Sequence, residues 1–161
     1  ASTGSLGHGF PIGVGMAIAA KIKKSKHKVF VVTGDGEMNE GSNWEAAMTA
    51  SKHKLSNLTL IIDYNKIQSY GYTKDVLDLE PLKKKLTSFG FSCNEVDGHD
   101  VGKLKKIFKK LPFNLKKPSA IIAAGCISTD VIILEILLMN LAINFSLKFH
   151  NKWHTLWKHK E

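Results

Sequence analysis

An α/β fold, a parallel sheet flanked by helices, is predicted by three features of the sequence. Short β-branched apolar runs alternate with helical patterns of ten or so residues. The first two runs read as buried strands, and each ends in a polar turn, Gly34-Asp35-Gly36 and Tyr64-Asn65-Lys66. The turns follow the strands, so both fall at carboxyl ends, where ligands bind in such sheets.

Each element has a local reason. The Gly-rich opening, Ser2 to Gly9, runs into small residues that end in lysines, which suit the negative end of a helix, and a helix is expected from about Phe10 to Lys24. Lys28 to Thr33 reads as a buried strand, Asn43 to Lys52 as a helix, and Leu58 to Asp63 as a second buried strand followed by the loop YNKIQSYGYT. The alternation then continues with a helix over Leu79 to Phe89, a strand over Phe91 to Val96, an amphipathic helix over Val101 to Leu111 and a strand over Ser119 to Ala124. Asp100 is the expected N-cap of the Val101 helix. Residues 1–125 are thus expected to form the folded unit, and residues 126–161 an apolar helix and a divergent basic tail.

At 161 residues, with 43% hydrophobic and 23% charged, the chain can build one domain with a core and is not disordered in character. Its 23 basic residues outnumber 14 acidic ones, for a formal charge of +9, and every basic residue is Lys. The absence of the Arg fork argues against sequence-specific nucleic-acid recognition, and scattered lysines read as a solvated surface. Cys93 and Cys126 lack paired spacing, and no signal peptide precedes the first helix, so a reducing, cytoplasmic setting is expected. The apolar run Val131 to Leu147 carries Glu135 and two asparagines, and is too short for a convincing membrane span. A buried or interface helix is expected there instead.

The chemistry concentrates at the two turns. Asp35 and Asn65 are thirty residues apart, enough for one crossover helix and the next parallel strand, so the two strand ends are expected side by side. Mg²⁺ takes hard oxygen ligands, with phosphates and water filling the positions that protein side chains leave open. The Asp35 carboxylate, the Asn65 amide oxygen and the Ile67 backbone carbonyl would make a partial cage of that kind. Gly34 and Gly36 would let the backbone approach phosphate oxygens, and the helix that follows would add its positive end. Taken singly, Asp35 also suits an ordinary strand-to-helix turn and Asn65 an ordinary Asx turn.

Other patterns carry less. Gly7-His8-Gly9 with Gly13 and Gly15 lacks the G-x-G-x-x-G spacing of a dinucleotide site. Asp35-x-Glu37-x-Asn39 has its next glycine one place too late for an EF-hand. None of the seven histidines pairs with a Cys at zinc spacing; His8 and His99 could contact substrate, but hydrogen-bonded structural roles suit them better.

Taken together, the motifs resemble those of the transketolases, specifically the thiamine-diphosphate-binding N-terminal half of the two-subunit bacterial forms. Gly34-Asp35-Gly36-Glu37-Met38-Asn39-Glu40-Gly41, ending at Asn65, is similar to the family's cofactor motif. Ser2-Thr3-Gly4-Ser5-Leu6-Gly7-His8-Gly9 and Val96-Asp97-Gly98-His99-Asp100 are similar to two further family segments. The Leu6-Gly7-His8-Gly9 turn and Glu40-Gly41 favour the transketolases over other thiamine diphosphate enzymes, such as the deoxyxylulose phosphate synthases and the dehydrogenase E1 components. The resemblance implies that Asp35, Asn65 and the Ile67 carbonyl hold Mg²⁺, that Gly36 meets the diphosphate, and that Gly4, Ser5 and Leu6 line the aminopyrimidine side. It also implies that Glu40 is the interface glutamate linking two active sites in a homo- or hetero-oligomer.

The implied activity is transfer of a two-carbon ketol unit from a ketose phosphate donor to an aldose phosphate acceptor. The resemblance covers roughly Ala1 to Ala123. The upstream region, which in the family supplies several substrate- and cofactor-contacting histidines, lies outside the resemblance, and the pyrimidine-binding half, with its activating glutamate, is left to a transketolase C-terminal subunit or domain. After Ala123 the chain reads Ala124-Gly125-Cys126-Ile127, a departure from the family's continuation. The alternative is a truncated, catalytically inactive binding or interaction module of the same fold.

Overall fold

A computed structural model of the chain describes residues 2–69 and 71–125. The sheet is organised around Leu58–Tyr64 (β2), whose first six residues are all buried. Val29–Gly34 (β1) pairs with it on one side and Ser119–Ala124 (β6) on the other, while Ser92–Asp97 (β5) closes the far edge. The order is β1-β2-β6-β5, and every pairing in it is parallel. The expected parallel sheet flanked by helices is therefore the fold.

Alternate residues of β2 face opposite layers, as strand pleating requires. Leu60 and Ile62 belong to one core, with Phe10, Val14 and Ala17 of the first helix (α1, Gly9–Ile22), Ala46, Ala47 and Ala50 of α2 (Gly41–Lys52), and Leu82 and Leu86 of α4 (Leu82–Ser88). Ile61 belongs to the second, with Leu104 and Phe108 of α5 (Val101–Phe108) and Val96, Ile121 and Ala123 of neighbouring strands. Burying side chains of this size gives about 1.5–3 kcal/mol each, so β2 is held from both sides and its carboxyl end is a firm platform.

Helices α1 and α2 match expectation to within two residues at each end, and the larger departures are three. The stretch after Tyr64, expected to be an irregular loop, holds a short antiparallel pair, Ile67–Gln68 (β3) with Gly71–Tyr72 (β4), and a single helical turn, Thr73–Val76 (α3). Runs this short carry too little periodicity to be read from sequence. Helix α4 starts at Leu82 rather than Leu79, because Pro81 disfavours the helical region for the residue before it. Helix α5 ends at Phe108 rather than Leu111. Lys110 and Leu111 instead donate to carbonyls three residues back, Ile107 and Phe108, just ahead of Pro112.

The Asp100 N-cap is formed: its Oδ1 accepts from the Lys103 N–H at 2.8 Å. Cys93 is a half-buried free thiol whose pKa burial pushes up. Among the described residues no helix is long and apolar enough to cross a membrane. The expected apolar helix, the basic tail and Cys126 lie outside the described residues.

Candidate cofactor site

The two turns singled out in the sequence meet at the carboxyl ends of β1 and β2. The ladder between these strands runs to Gly34 and Asp63, and the Asp35 N–H extends it by donating to the Asp63 carbonyl at 3.1 Å. Asp35 then starts a 3-10 turn, Gly36–Asn39, and its Oδ1 accepts from the Gly36 N–H at 2.7 Å. Its Oδ2 accepts from the Lys66 N–H at 2.6 Å, across thirty-one residues of chain. A single carboxylate thus ties the end of β1 to the turn after β2.

That carboxylate is 1% exposed. Burial raises its pKa above the ordinary carboxylate value, and the Lys66 and Gly36 N–H groups pull it back down. Two N–H bonds leave roughly two of its four lone-pair sites unused.

Asn65 closes an Asx turn: its Oδ1 accepts from the Ile67 N–H at 2.8 Å, and its Nδ2 donates to Asp63 Oδ2 at 3.2 Å. The same oxygen keeps a second lone pair for another partner. Lys66 between them has φ +64°, the left-handed region that a residue with a Cβ enters at a cost of about 1–3 kcal/mol. This strained residue is the one whose N–H reaches Asp35.

Gly36 lies beneath Gln68. A Cβ on Gly36 would come within 2.8 Å of Gln68 Cγ, and Gln68 Oε1 accepts from Asn39 Nδ2 at 2.8 Å. The Oδ1 atoms of Asn39 and Asn43 are buried without a hydrogen-bond partner, although Asn43 Nδ2 donates to the Glu37 carbonyl at 2.6 Å. The segment after Asp35 therefore carries a partly unspent carboxylate and two unspent amide oxygens. Among the described residues no three His, Cys, Asp or Glu side chains cluster as a metal site. The available donors here are hard oxygens: one carboxylate, amide oxygens and backbone carbonyls. That set fits Mg²⁺ with phosphate and water ligands better than a soft or imidazole-seeking ion.

A second contact docks the opening turn onto this segment. Gly7 is buried at φ +74°, its N–H donates to Glu37 Oε1 at 3.0 Å, and its carbonyl accepts from Ser42 Oγ at 2.8 Å. A Cβ there would lie 2.5 Å from both Glu40 Cβ and Ser42 Oγ, so only glycine fits. Glu37 is 7% exposed; burial raises its pKa most, the Gly7 N–H opposes this, and nearby Glu40 adds to it.

Gly4, Ser5 and Leu6 lie on the exposed outside of the same turn, with the Leu6 side chain 62% exposed. Glu40 is the N-cap residue of α2, yet its exposed carboxylate makes no capping bond. Trp44 of α2 donates from Nε1 to the Met38 carbonyl at 2.8 Å, and its ring lies 5.2 Å from that of Phe89.

The structure thus brings Asp35, Gly36, Asn65 and Ile67 together at the carboxyl ends of β1 and β2, and joins the Gly4–Gly7 turn and Glu40 to them through Glu37 and Ser42. Glu37, Ser42, Asn39 and Gln68 were given no role of their own from sequence. Glu37 alone offered a signal, as a charged residue in the turn that follows a buried strand.

Comparison with known proteins identifies the family. Residues 1–131 match the family described as transketolase, thiamine diphosphate binding domain. One of the subunits of the apulose-4-phosphate transketolase of Actinobacillus succinogenes is 50% identical over 122 residues, 76% of this chain and 44% of that protein. The 6-deoxy-6-sulfo-D-fructose transketolase subunit SqwG of a Clostridium species is 40% identical over 121 residues, 75% of this chain and 44% of that protein. Among solved structures, transketolase from Campylobacter jejuni superposes with a TM-score of 0.70 at 32% identity, over 76% of this chain and 20% of that one. The chain spans less than half the length of these curated relatives. A match over residues 1–131, with relatives and solved structures of the same family over about three quarters of the chain, makes this chain a member of the transketolase family, carrying its thiamine-diphosphate-binding domain.

Proposed function

We propose that this chain binds thiamine diphosphate through Mg²⁺ and forms the diphosphate-binding half of a transketolase that a second polypeptide or domain completes. The observation that carries the reading is the bond from the Lys66 N–H to Asp35 Oδ2, which fixes the Asn65 turn against the Gly34–Gly36 turn. In this reading the Asp35 carboxylate, Asn65 Oδ1 and the Ile67 carbonyl hold the cation, Gly36 meets the diphosphate, and Gly4, Ser5 and Leu6 face the aminopyrimidine. Glu40, with its carboxylate exposed and unused by its own helix, reaches toward a partner's site. Asp35 enters binding as a buried carboxylate, and a cation would offset the desolvation that now raises its pKa.

Thiamine diphosphate, when bound, supplies the carbanion stabilisation needed to pass a two-carbon ketol unit from a ketose to an aldose. Two relatives are named as transketolase subunits, which supports a divided enzyme. One name specifies a sugar phosphate and the other a sulfo-sugar, and we assign sugar phosphates here. Oligomeric assembly and a cytoplasmic location belong to the same proposal.

The test is calorimetric titration of thiamine diphosphate into the full chain, with Mg²⁺ and with chelator, alone and with a transketolase C-terminal half. Metal-dependent binding that tightens with the added half supports the proposal. No heat under any condition would sink it and favour an inactive module of the same fold.

A further inference from the structure

A second concentration of charge lies at the other end of the sheet. The loops that precede β1, β2 and β6, three adjacent parallel strands, surround a cleft of about 400 Å³. Its lining includes Lys21, Lys24, Lys54 and Lys116, with Ser25 and Ser56 between them, and no acidic residue. At about 3.3 Å per residue along β2, it sits roughly 20 Å from the Asp35 turn.

Lysines at helix C-termini have an ordinary explanation, because they neutralise the negative end of the dipole. Lys21 fits it, donating from Nζ to the His53 and Lys54 carbonyls at the end of α2. Lys24 and Lys54 do not need to be where they are. Both stand one residue past a helix cap in the left-handed region, at φ +50° and φ +49°.

Each sits in the same closing motif. Lys24 N–H donates to Lys21 O and Ser25 N–H to Ala20 O; Lys54 N–H donates to Ser51 O and Leu55 N–H to Ala50 O. Glycine is the favoured residue at this position because it has no Cβ. Helix α4 closes with the same motif and does use glycine, Gly90 at φ +90°, where Ser51 also leaves no room for a Cβ. Two helix ends facing the cleft thus carry a strained lysine in place of the favoured glycine.

Four ammonium groups against two helix ends of roughly half a negative charge each leave a net of about +3. Neither Lys24, Lys54 nor Lys116 forms an ion pair among the described residues. The volume suits a small ligand, and the two serines offer hydrogen bonds. We infer that this cleft at the amino ends of β1, β2 and β6 is a binding site for a small, multiply charged phosphate anion, separate from the cofactor site.

The test titrates sodium pyrophosphate into the full chain by calorimetry, in chelator to silence the metal-dependent site and at about 150 mM NaCl to screen diffuse attraction. One saturable site is expected. The double variant Lys24→Gly/Lys54→Gly should weaken it at least tenfold while raising the melting temperature, since glycine accepts the left-handed backbone more readily. An equal charge loss on α5, Lys105→Ala/Lys106→Ala, should leave the affinity within twofold. Unchanged affinity in the glycine double variant, absence of binding at this salt concentration, or equal weakening by the α5 variant would overturn the assignment. A lowered melting temperature in the glycine double variant would overturn it too, because the strained lysines would then be structural.

Discussion

Replacing Gly7 by Ala tests how the opening turn is held. The new Cβ would stand 2.5 Å from Glu40 Cβ and Ser42 Oγ, on a backbone at φ +74°. The left-handed penalty is about 1–2 kcal/mol, and overpacking adds about 1–3 kcal/mol. Against this stand two bonds. The Gly7 N–H to Glu37, as a charged bond, contributes about 1.5–3 kcal/mol, and Ser42 Oγ to the Gly7 carbonyl about 0.5–1.5 kcal/mol.

Burial raises the Glu37 pKa, so its carboxylate gains hydration when the turn lifts, and the net holding energy falls at the low end of that range. Release therefore wins over strain. The expected result is a loss of only about 1–3 kcal/mol in urea unfolding, capped by the two bonds rather than set by the full clash. Amide exchange of Gly4 to Gly9 should speed up while β2 stays protected. Thiamine diphosphate should bind more weakly, with Mg²⁺ affinity little changed. A wild-type midpoint together with wild-type protection of the Gly7 amide would refute the reasoning.

Three further outcomes follow from the site. Asp35→Ala should abolish Mg²⁺-dependent cofactor binding and leave the far-ultraviolet circular dichroism unchanged; retained metal-dependent binding would remove Asp35 from the ligand set. Asp35 and Glu37 have folded pKa values raised by burial, so the metal-free chain draws a stability contribution that is fully present below the ordinary carboxylate range and lost as pH rises through the raised values. Cation binding needs ionised Asp35, so Mg²⁺ affinity should grow with pH through the same window; parallel melting curves in chelator and in Mg²⁺ should diverge as pH rises. Gln68→Ala removes the bond from Asn39 and the cover over Gly36, and should cost about 1 kcal/mol in urea unfolding.

Much of this was legible because the chain is locally consistent. β2 and β6 are near-continuous apolar runs, interrupted only by Thr59, Asp63 and Ser119, and a strand buried on both faces needs that pattern, so their places could be read directly. The Asp35 and Asn65 turns could be paired because a crossover of fixed minimum length separates adjacent parallel strands. What sequence could not supply was how the turns are held. The Lys66 N–H on Asp35 depends on a left-handed lysine, which no residue preference announces. The Glu37 bond to Gly7 spans thirty residues and two elements, and the cover of Gln68 over Gly36 rests on a two-residue strand too short to leave a period. Proline shifted two helix ends for a local reason that could have been weighted more heavily.

The placement of Trp44 has an optical consequence. Its indole N–H is fastened to the carbonyl of Met38, inside the turn that begins at Asp35, while its ring rests against Phe89 at 5.2 Å. Indole emission shifts in colour when the polarity around that nitrogen changes, so the chain contains its own fluorophore bonded to the turn that Asp35 begins. With Trp153 and Trp157 replaced by Phe, Trp44 would be the sole indole. Any rearrangement of Gly36–Asn39 would then be readable as a wavelength, without a label and without turnover.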